Sequence, residues 1–574
     1  MSHLTPERRQ SLQDRTSRAK ATDNSQTRSP DKDRPNPRKP PERTTLWLDL
    51  GTGAGVDDAG RDVLPMLGGR RKKPTLVDLL TAALHHHADR IIVCGTLPDD
   101  PTTWLHPPRG RTVEQFLPDW TQRSVYTGAN PTGRFTHTDT DRKVTVLTAN
   151  EWFKVDDITP AQARWAHREL TDVIATAIDR KWPLLDHIGA TGINIWKRYV
   201  PSTWAVDRMD KDLGKLILAT DPQHRFEHFV DGPARCDCGD CPALIPAGTV
   251  LPAFTYCDGR FMYGAVKREI GAAPATFLST SDAQALFASN PYWPARYLAR
   301  FTVPEGWSRL GLLAVKRESG TGWHWPNRPG AQHNTWADTE ELHLAATHGW
   351  TIEILEGIKL SKIDSLSPYA TAIEKMLSEV ERRWATKPAA GEVLSSAIKQ
   401  MYRVTIGQFA ARQPLTTITV PTAEEIPEGI ASFHADRNAA GDIISYTYEM
   451  ETHTGDPDSW HPEIAARLWA LSRLRVLSTP TALKTEDGKM LKAGAITIPP
   501  GELIGIQGDA IYTSVSPLWT FPAPEGGGDD GRTGRIRIKG LIPDPVNAPA
   551  TREARQQLSD QAELWWTTNG GTEQ

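Results

Sequence analysis

The chain has 574 residues and a mass of 63.5 kDa, which is enough for roughly three or four domains. Its formal net charge of -4 and pI near 6.5 exclude a bulk polycation, so any nucleic-acid contact must come from local basic patches. No apolar run approaches the roughly 18 residues of a membrane span, and no signal-peptide core stands near the start. We therefore expect a cytoplasmic protein with no membrane partner.

The first 44 residues form a distinct segment. They are rich in Lys, Arg, Pro, Ser and Thr and hold almost no large apolar side chains. Because such a composition cannot bury enough surface to offset chain entropy, we expect a disordered basic tail. A further basic patch, Gly-Arg-Arg-Lys-Lys, stands at residues 69–73.

Residues 45–186 alternate short apolar strands with helices. Strands are predicted from residue 45 to Asp49, at 90–94 and at 144–148, and helices at 75–87 and 161–179. Acids at strand ends, followed by an acid-bearing helix, suit a ribonuclease H-like 3′-5′ exonuclease domain, whose chemistry requires a pair of metal ions. The candidate acids are Asp49, Asp99, Glu169 and Asp172.

The run from Asp49 to Gly53 has a competing interpretation. Asp-Leu-Gly-Thr-Gly looks like the phosphate-contacting turn of actin-like ATPases and sugar kinases. Those folds need a second glycine-rich loop and an adenosine motif, for which the sequence offers no convincing candidate. A strand followed by a tight glycine turn is the simpler interpretation.

Three of the five cysteines are crowded together as Cys236, Cys238 and Cys241. The crowding could bind zinc, with His224 or His228 as a fourth ligand. Structural zinc sites usually supply two separated pairs of ligands, however, and only one cluster is present. A loop of free thiols is therefore the favoured interpretation.

Two aspartates stand in distinctive neighbourhoods. Asp258 lies in Thr-Tyr-Cys-Asp-Gly-Arg-Phe-Met-Tyr at residues 255–263, and Asp509 lies in Ile-Gln-Gly-Asp-Ala-Ile-Tyr at residues 506–512. Each ends or interrupts an apolar, β-leaning run, where a sheet can hold a carboxylate still. Phosphoryl transfer needs two such carboxylates close together with a pair of divalent ions, Mg²⁺ or Mn²⁺, between them.

Between the two aspartates, residues 398–409 read as a helix that carries Lys399. The order carboxylate, helical lysine, carboxylate is that of polymerases. With these motifs the chain resembles the protein-primed family B DNA polymerases of phages and linear plasmids, from about residue 45 to about residue 540.

The palm motifs carry the most specific part of the resemblance. The family's first palm motif is an aspartate followed five residues later by a tyrosine, which Asp258 and Tyr263 fit. The resemblance implies that Tyr263 packs under the incoming sugar and that Asp509 is a principal metal ligand. Lys399 and Gly407 match the family's lysine and glycine on the fingers helix, and the resemblance implies that Lys399 contacts the β- and γ-phosphates.

Other stretches follow in the family's order. Residues 229–232 resemble the linker that couples the two halves of the polymerase on template, and residues 300–359 resemble the insertion that embraces a priming protein. Residues 535–539 occupy the place of the strand that holds the primer terminus. The nucleic-acid-binding residues implied are Gly232, Arg235, Gly407, Arg537 and Lys539.

Several motif positions depart from the family. Gly51 stands where the first exonuclease motif has a glutamate, which predicts a folded domain with poor proofreading. Gln507 and Gly508 replace the first two residues of Asp-Thr-Asp. Arg403 and Ile406 replace the asparagine and tyrosine of the helix motif.

The resemblance implies an α+β (mixed) fold, with a right-hand polymerase of palm, fingers and small thumb preceded by a ribonuclease H-like exonuclease domain. The implied segments are the tail (1–44), the exonuclease-like domain (45–186), a linker with the first palm part and the terminal-protein-region-like insertion (187–362), the fingers (363–411), the second palm part (412–522), and the small thumb with the C-terminal tail (523–574).

The function implied is template-directed DNA polymerisation in the replication of a linear or mobile element. Its partners would be DNA template and primer, deoxynucleotides and a terminal priming protein. Because the departures fall inside catalytic motifs, a second function stays open: a catalytically silent pseudo-polymerase that binds DNA ends or a terminal protein.

Overall fold

The computed structural model describes residues 43–571 except 68–72, 97–116, 118, 123–132, 156, 200–207, 267–269, 319–321, 363–365, 412–414, 427–432, 438–442 and 452–458. The predictions for the N-terminal tail, for most of the basic patch at residues 69–73 and for Asp99 therefore lie outside the described residues. Among the described helices, none combines the length and apolar character needed to cross a membrane.

The described residues of the first part of the chain form seven strands and four helices. The strands are β1 (Thr45–Asp49), β2 (Gly55–Asp57), β3 (Asp62–Val63), β4 (Arg90–Cys94), β5 (Trp120–Gln122), β6 (Gly133–His137) and β7 (Lys143–Thr148). The helices are α1 (Leu76–His85), α2 (Asn150–Phe153), α3 (Pro160–Ala177) and α4 (Ile188–Tyr199).

The middle of the chain is richer in strands. They are β8 (Phe226–His228), β9 (Val250–Leu251), β10 (Phe254–Gly259), β11 (Ala272–Leu278), β12 (Ala295–Thr302), β13 (Val315–Lys316), β14 (Trp323–His324), β15 (Gln332–Asp338) and β16 (Thr351–Ser361). The helices are α5 (Lys211–Ala219), α6 (Met262–Ala265), α7 (Thr280–Ser289) and α8 (Thr339–Thr347).

The last part begins with two long helices. The helices are α9 (Ser367–Trp384), α10 (Pro388–Phe409), α11 (Pro462–Leu477) and α12 (Arg552–Thr568). The strands are β17 (Leu415–Val420), β18 (Phe433–Arg437), β19 (Ile443–Glu451), β20 (Thr479–Lys484), β21 (Met490–Ala493), β22 (Leu503–Gln507), β23 (Ala510–Thr513), β24 (Ile536–Ile542) and β25 (Val546–Asn547).

These elements form two compact units. The N-terminal unit comprises the described residues up to 203 together with 367–405, and the C-terminal unit comprises those of 204–366 and 406–571. The predicted strands at 45–49, 90–94 and 144–148 and the predicted helices around 75–87 and 161–179 are confirmed as β1, β4, β7, α1 and α3. The predicted helix at 398–409 is the second half of α10.

The N-terminal unit is built on one mixed sheet of strand order β3-β2-β1-β4-β7-β6-β5. Its centre is parallel, since β4 pairs in parallel with both β1 and β7. Such strands are covered on both faces, and Leu46, Trp47 and Leu48 of β1 are all buried. Helix α3 begins where Thr159 caps it and Pro160 occupies its first turn.

The C-terminal unit contains two larger sheets. One is antiparallel, with strand order β24-β10-β23-β22-β8, and the other has strand order β11-β16-β12-β15. A single apolar cluster includes Cys257 and Ile511 of the first sheet, Tyr297 and Phe301 of the second, and Val476 of α11. Strand β10 is therefore an interior strand of its sheet, and its odd-numbered residue Cys257 faces this cluster, whereas the even-numbered Phe254 packs in a second apolar cluster on the other face.

Buried charges join α11 to the second sheet. Arg296 of β12 donates to Asp221 at 2.8 Å and to Asp338 at 2.7 Å, and all three side chains are at most 2% exposed. From α11, Arg467 pairs with Asp338 and Glu340, while Arg473 pairs with Asp221 and Glu341. Arg467 and Arg473 of α11 are thus used inside the protein.

The network predicts unequal costs for two arginines on the same strand. Arg296→Ala leaves Asp221 and Asp338 short of a partner in the core, and we expect it to lower the free energy of unfolding by about 3–5 kcal/mol. Arg300→Ala removes an exposed pair with Glu353 and should cost less than about 1 kcal/mol. Denaturant titration of both variants measures the difference; equal losses would contradict the interpretation of the network.

Candidate active site

The structure brings Asp258 and Asp509 to the same end of the five-stranded sheet. Asp258 is the penultimate residue of β10, and Asp509 lies in the two-residue turn between β22 and β23. Strand β10 pairs directly with β23, so that Cys257 lies opposite Ile511. A Cβ atom added to Gly259 would lie 3.1 Å from Cβ and 3.2 Å from Oδ2 of Asp509. The Asp509 side chain therefore lies against the residue that follows Asp258, at the same end of the sheet.

The turn that carries Asp509 explains one of the motif departures. Gly508 has φ +65°, a conformation that a β-branched residue adopts only with strain. Its N–H donates to the carbonyl of Arg225 at 2.8 Å, which ties the turn to the edge strand β8. With glycine here, the backbone can place Asp509 beside Gly259 through a tight hairpin.

Asp258 sits in an electrostatically mixed environment. It lies opposite Arg537 of β24, and in an antiparallel pair opposite side chains share a face. Burial raises the pKa of the Asp258 carboxyl above its usual range, and Glu563 of α12 adds to the rise, while Lys539 and Arg537 oppose it. The ionised carboxylate is thus only partly compensated by the protein, which favours a further cation beside it.

An aromatic pair continues the same face of the sheet. Tyr256 stacks on Tyr512 with ring centroids 5.3 Å apart and an interplanar angle of 16°. Lys539 lies over the Tyr256 ring at 5.2 Å and pairs with Glu563 at 3.0 Å. The predicted nucleic-acid-binding residues Arg537 and Lys539 are therefore half-buried neighbours of the carboxylate pair, and Lys539 is already engaged with the C-terminal helix.

Gln507 has a structural role that its neighbours define. Its Oε1 accepts from Arg555 of α12 at 2.6 Å, and the Arg555 guanidinium lies over the Tyr512 ring at 4.6 Å. A neutral amide at position 507 thus anchors α12 to β22. The side chain of Gln507 is therefore directed to α12.

The Tyr263 hydroxyl contacts His224, which the sequence had offered as a candidate zinc ligand. Tyr263 lies on the short helix α6, and its hydroxyl is 2.9 Å from Nδ1 of His224. The His224 ring also lies edge-on to Trp469 at 6.2 Å. Burial and nearby Arg473 lower the pKa of His224, so the imidazole is neutral at pH 7. His224 positions Tyr263 and is not a zinc ligand.

The cation-bearing helix α10 presents one exposed face. Lys399, Arg403 and Gly407 recur at four-residue spacing and are all exposed. On the opposite side, Tyr402 is buried and stacks on Tyr369 of α9 at 5.5 Å. A Cβ atom on Gly407 would meet no other atom within 4 Å, so packing gives no reason for a glycine there.

Arg235 was predicted to contact nucleic acid, but its side chain is only 5% exposed. It donates to Glu227 at 3.0 Å, to the carbonyl of His228 at 2.8 Å and to the carbonyl of Cys241 at 3.0 Å. The guanidinium therefore holds a loop in place. Gly232, from the same stretch, has φ +147° and packs against Ala550.

Among the described residues, Asp49, the first of the predicted exonuclease-like acids, does not lie in a group of acids that could hold a metal ion. The Oδ1 of Asp49 accepts from the N–H and the hydroxyl of Thr52 at 2.8 Å each, as expected of a residue that closes a glycine turn. In the described part of the chain, Asp49 belongs to no group of three or more acids, histidines or cysteines close enough to hold a metal.

Helical geometry separates the other two acids from the sheet. Glu169 and Asp172 lie on the side of α3 that also carries Trp165, whose ring meets Trp384 of α9 at 6.2 Å. The buried side of α3, marked by Ala166, is roughly a third of a turn away. Glu169 and Asp172 therefore face α9 more than the strand that ends in Asp49.

The three clustered cysteines meet a different histidine from those predicted. Their Sγ atoms and a ring nitrogen of His324 lie within 4.8 Å of one another. His228 is held elsewhere, with Nε2 2.7 Å from the carbonyl of Pro549. His224 and His228, the two candidates for a fourth ligand, do not belong to this group, because both imidazoles have other partners.

No protein-family model matches the sequence, and no curated protein matches it significantly. The structure is, however, similar to several solved structures. The chain is similar to Phi29 DNA polymerase complexed with primer-template DNA in a post-translocation binary complex, with TM-score 0.52, 9% identity, and 88% of this chain and 86% of that chain covered. Phi29 DNA polymerase in an orthorhombic crystal form and complexed with single-stranded DNA each give TM-score 0.50 at 10% identity, with the same coverage. The predicted α+β fold, a polymerase preceded by an exonuclease-like domain, is confirmed.

The raised pKa of Asp258 predicts a stability effect with a definite sign. A carboxyl whose pKa is higher in the folded state destabilises the fold once it ionises, above its unfolded pKa near 4. Without divalent ions, we expect Asp258→Asn to raise the melting temperature by a few degrees at pH 7, and the gain to disappear near pH 3.

The matched control is the exposed hairpin residue Asp487, whose pKa is lowered by hydrogen bonds from Lys489 and Thr485. Asp487→Asn should bring no gain at pH 7, because the ionised form is the favoured one there. Thermal unfolding followed by circular dichroism at both pH values makes the comparison. A melting temperature of Asp258→Asn that equals or falls below wild type at pH 7 would contradict this account of the site.

Proposed function

We propose that this protein is a template-directed DNA polymerase that transfers deoxynucleotides to a primer terminus. The observation that carries the proposal is the adjacency of Asp258 and Asp509 at one end of the antiparallel sheet. The fold shared with Phi29 DNA polymerase supports the same reaction class. The substrates would be primer-template DNA and deoxynucleoside triphosphates.

The donor set fits Mg²⁺ or Mn²⁺. Both ions prefer oxygen ligands, and the two carboxylates offer oxygens from a strand end and a tight turn, which are rigid supports. Two such ions, when bound, activate the attacking hydroxyl and neutralise charge on the departing pyrophosphate. Asp258 and Asp509 would hold and orient them, and Asp258 gains the counter-charge that its partly compensated environment lacks.

Other residues would position the substrates. Tyr263, oriented by His224, would pack against the sugar of the incoming nucleotide and reject a 2′-hydroxyl. Lys399 belongs to the N-terminal unit, and its proposed contact with the triphosphate rests on the sequence resemblance and on its exposure. Arg537 would face the primer backbone beside the carboxylates.

Loss of either carboxylate tests the proposal. Asp258→Ala and Asp509→Ala should each reduce primer extension on the order of a thousandfold, because each unseats an ion worth several kcal/mol in the transition state. Extension of a labelled primer, first with Mg²⁺ and then with Mn²⁺, is the measurement. Asp487→Ala, on the exposed hairpin between β20 and β21, is the control and should extend at the wild-type rate.

The two variants should still bind primer-template DNA, since the carboxylates repel phosphates. Extension at the wild-type rate by both variants would contradict the assignment of Asp258 and Asp509 as metal-binding catalytic residues. Wild-type DNA binding without extension in either ion would instead favour the pseudo-polymerase, for which the Gln507–Arg555 contact in place of a third acid is the structural argument.

Gly407 provides a second test that separates function from stability. An exposed helical glycine costs about 1 kcal/mol relative to alanine, and no neighbour requires one here. We expect Gly407→Ala to stabilise the protein by up to about 1 kcal/mol and yet to lower extension, because the bare backbone would allow close approach of a nucleic acid. Denaturant titration and primer extension measure the two effects.

Gly391 of the same helix is the matched control. Its added Cβ would lie 3.2 Å from Cβ of Trp384, so that packing explains this glycine. Gly391→Ala should bring no gain in stability and leave extension unchanged. Unaltered extension by Gly407→Ala would remove Gly407 from the proposed binding surface.

A further inference from the structure

The cysteine cluster is completed by a residue distant in sequence. Cys236, Cys238 and Cys241 follow β8, whereas His324 lies in β14, the second strand of a hairpin. All four ligand atoms lie within 4.8 Å of one another, and the Cys236 Sγ is 4.0 Å from Nδ1 of His324. Nothing in the proposed polymerase reaction uses these groups.

We propose that Cys236, Cys238, Cys241 and His324 form a structural zinc site. Three thiolates and one imidazole are a common closed ligand set for zinc. With Zn–S of about 2.3 Å and Zn–N of about 2.0–2.1 Å, tetrahedral ligand atoms lie roughly 3.4–3.8 Å apart, so small side-chain rotations close the observed spread around an ion.

The choice of ion follows from the donor atoms. Soft thiolates select zinc over magnesium or calcium, which prefer oxygen. A disulfide between two of the cysteines would not account for the third thiol and the His324 ring nitrogen beside them. A loop of unrelated free thiols gives no reason for a histidine from a separate hairpin to lie among them.

Backbone contacts hold the cysteine loop beside β14. Gly239, with φ +78°, supplies the bend between Cys238 and Cys241. The carbonyl of Asp240 accepts from the backbone N–H of Asn327 at 2.9 Å and of Arg328 at 3.1 Å, which fastens the loop beside β14. The Sγ of Cys241 lies 3.4 Å from the carbonyl of Trp325.

Two ion pairs flank the cluster. Arg317 lies 3.9 Å from Asp237, and Arg328 lies 3.8 Å from Asp240. Three thiolates with one Zn²⁺ carry a net charge of about -1.

The site would fasten two parts of the C-terminal unit. Arg235, which holds the carbonyl of Cys241, also pairs with Glu227 of β8. Strand β8 pairs with β22, which leads into the turn of Asp509. A zinc ion would therefore fix the loop after β8 to the β13–β14 hairpin and stiffen the sheet edge that supports the carboxylate pair.

Metal analysis of the purified full-length protein tests the inference without recourse to activity. Under reducing conditions, mass spectrometry of elements should find one zinc per chain, and strong chelators should lower the melting temperature. Cobalt substitution should give the visible bands of tetrahedral Co²⁺ and thiolate charge-transfer absorption. Cys238→Ser and His324→Ala should each lose zinc affinity by about tenfold or more.

Two further variants distinguish a ligand from a residue that only supports the fold. His324→Cys should restore one zinc per chain and shift the cobalt spectrum toward that of four thiolates. His333→Ala changes a ring 5.9 Å from His324 and should keep its zinc, as should Cys94→Ala in the N-terminal unit.

Three results would overturn the proposal. They are a wild-type protein that takes up neither zinc nor cobalt when reduced, an equal zinc affinity in wild type and His324→Ala, and a disulfide within the cluster in the protein as purified.

Discussion

The pairing of strand β10 with a neighbour on each side is the constraint on which the candidate active site depends. Strand β10 pairs with β23 on one side and with β24 on the other, so one strand fixes Asp258 relative to both Asp509 and Arg537. Because the odd-numbered face of β10 is packed in the core, Asp258 is forced onto the other face with Tyr256. A register shift by one residue would bury the carboxylate in that core, which makes the register strongly specified.

Burial of charge recurs throughout the C-terminal unit, but with different outcomes. Around Arg296 and Arg467, each guanidinium faces carboxylates, although the Nε atom of each has no hydrogen-bond partner among the described residues. Burial raises the pKa of Asp338 to about 7 despite these arginines, and it raises the pKa of Asp258 despite Arg537 and Lys539. Asp338 is fully buried, whereas Asp258 is partly exposed at the end of a strand, and perturbed groups in accessible positions are candidates for function.

The sequence was sufficient to predict elements whose signal is local. Strands β1, β4 and β7, helix α3 and the helix of Lys399 follow from hydrophobic periodicity and caps. The adjacency of Asp258 and Asp509 was predicted only because ordered motifs resembled those of a known family. Hydrophobic periodicity within a segment does not indicate which distant strand it pairs with, and these two segments are more than 200 residues apart.

Two candidate residues make contacts that the sequence does not show. Arg235, which was predicted to contact nucleic acid, is buried and holds a loop, and His224, one of two candidates for a fourth zinc ligand, contacts Tyr263. The histidine that meets the cysteines, His324, lies in a hairpin distant in sequence. Composition and spacing identify which side chains can ligate or donate, but the choice among them is made by tertiary contacts that a single sequence does not display.

The replaced residues of the last palm motif bear on whether two carboxylates suffice. Gly508 permits the tight turn, and Gln507 is turned to Arg555, so both replacements serve the backbone and helix α12 and neither offers a metal an anionic ligand. Asp258 and Asp509 are supported by a strand end and a hairpin at the same end of the sheet, and Glu563 of α12 lies near enough to raise the pKa of Asp258. Because two-metal catalysis needs carboxylates on rigid supports, the proposed function depends on these two positions and not on residues 507 and 508, which make structural contacts.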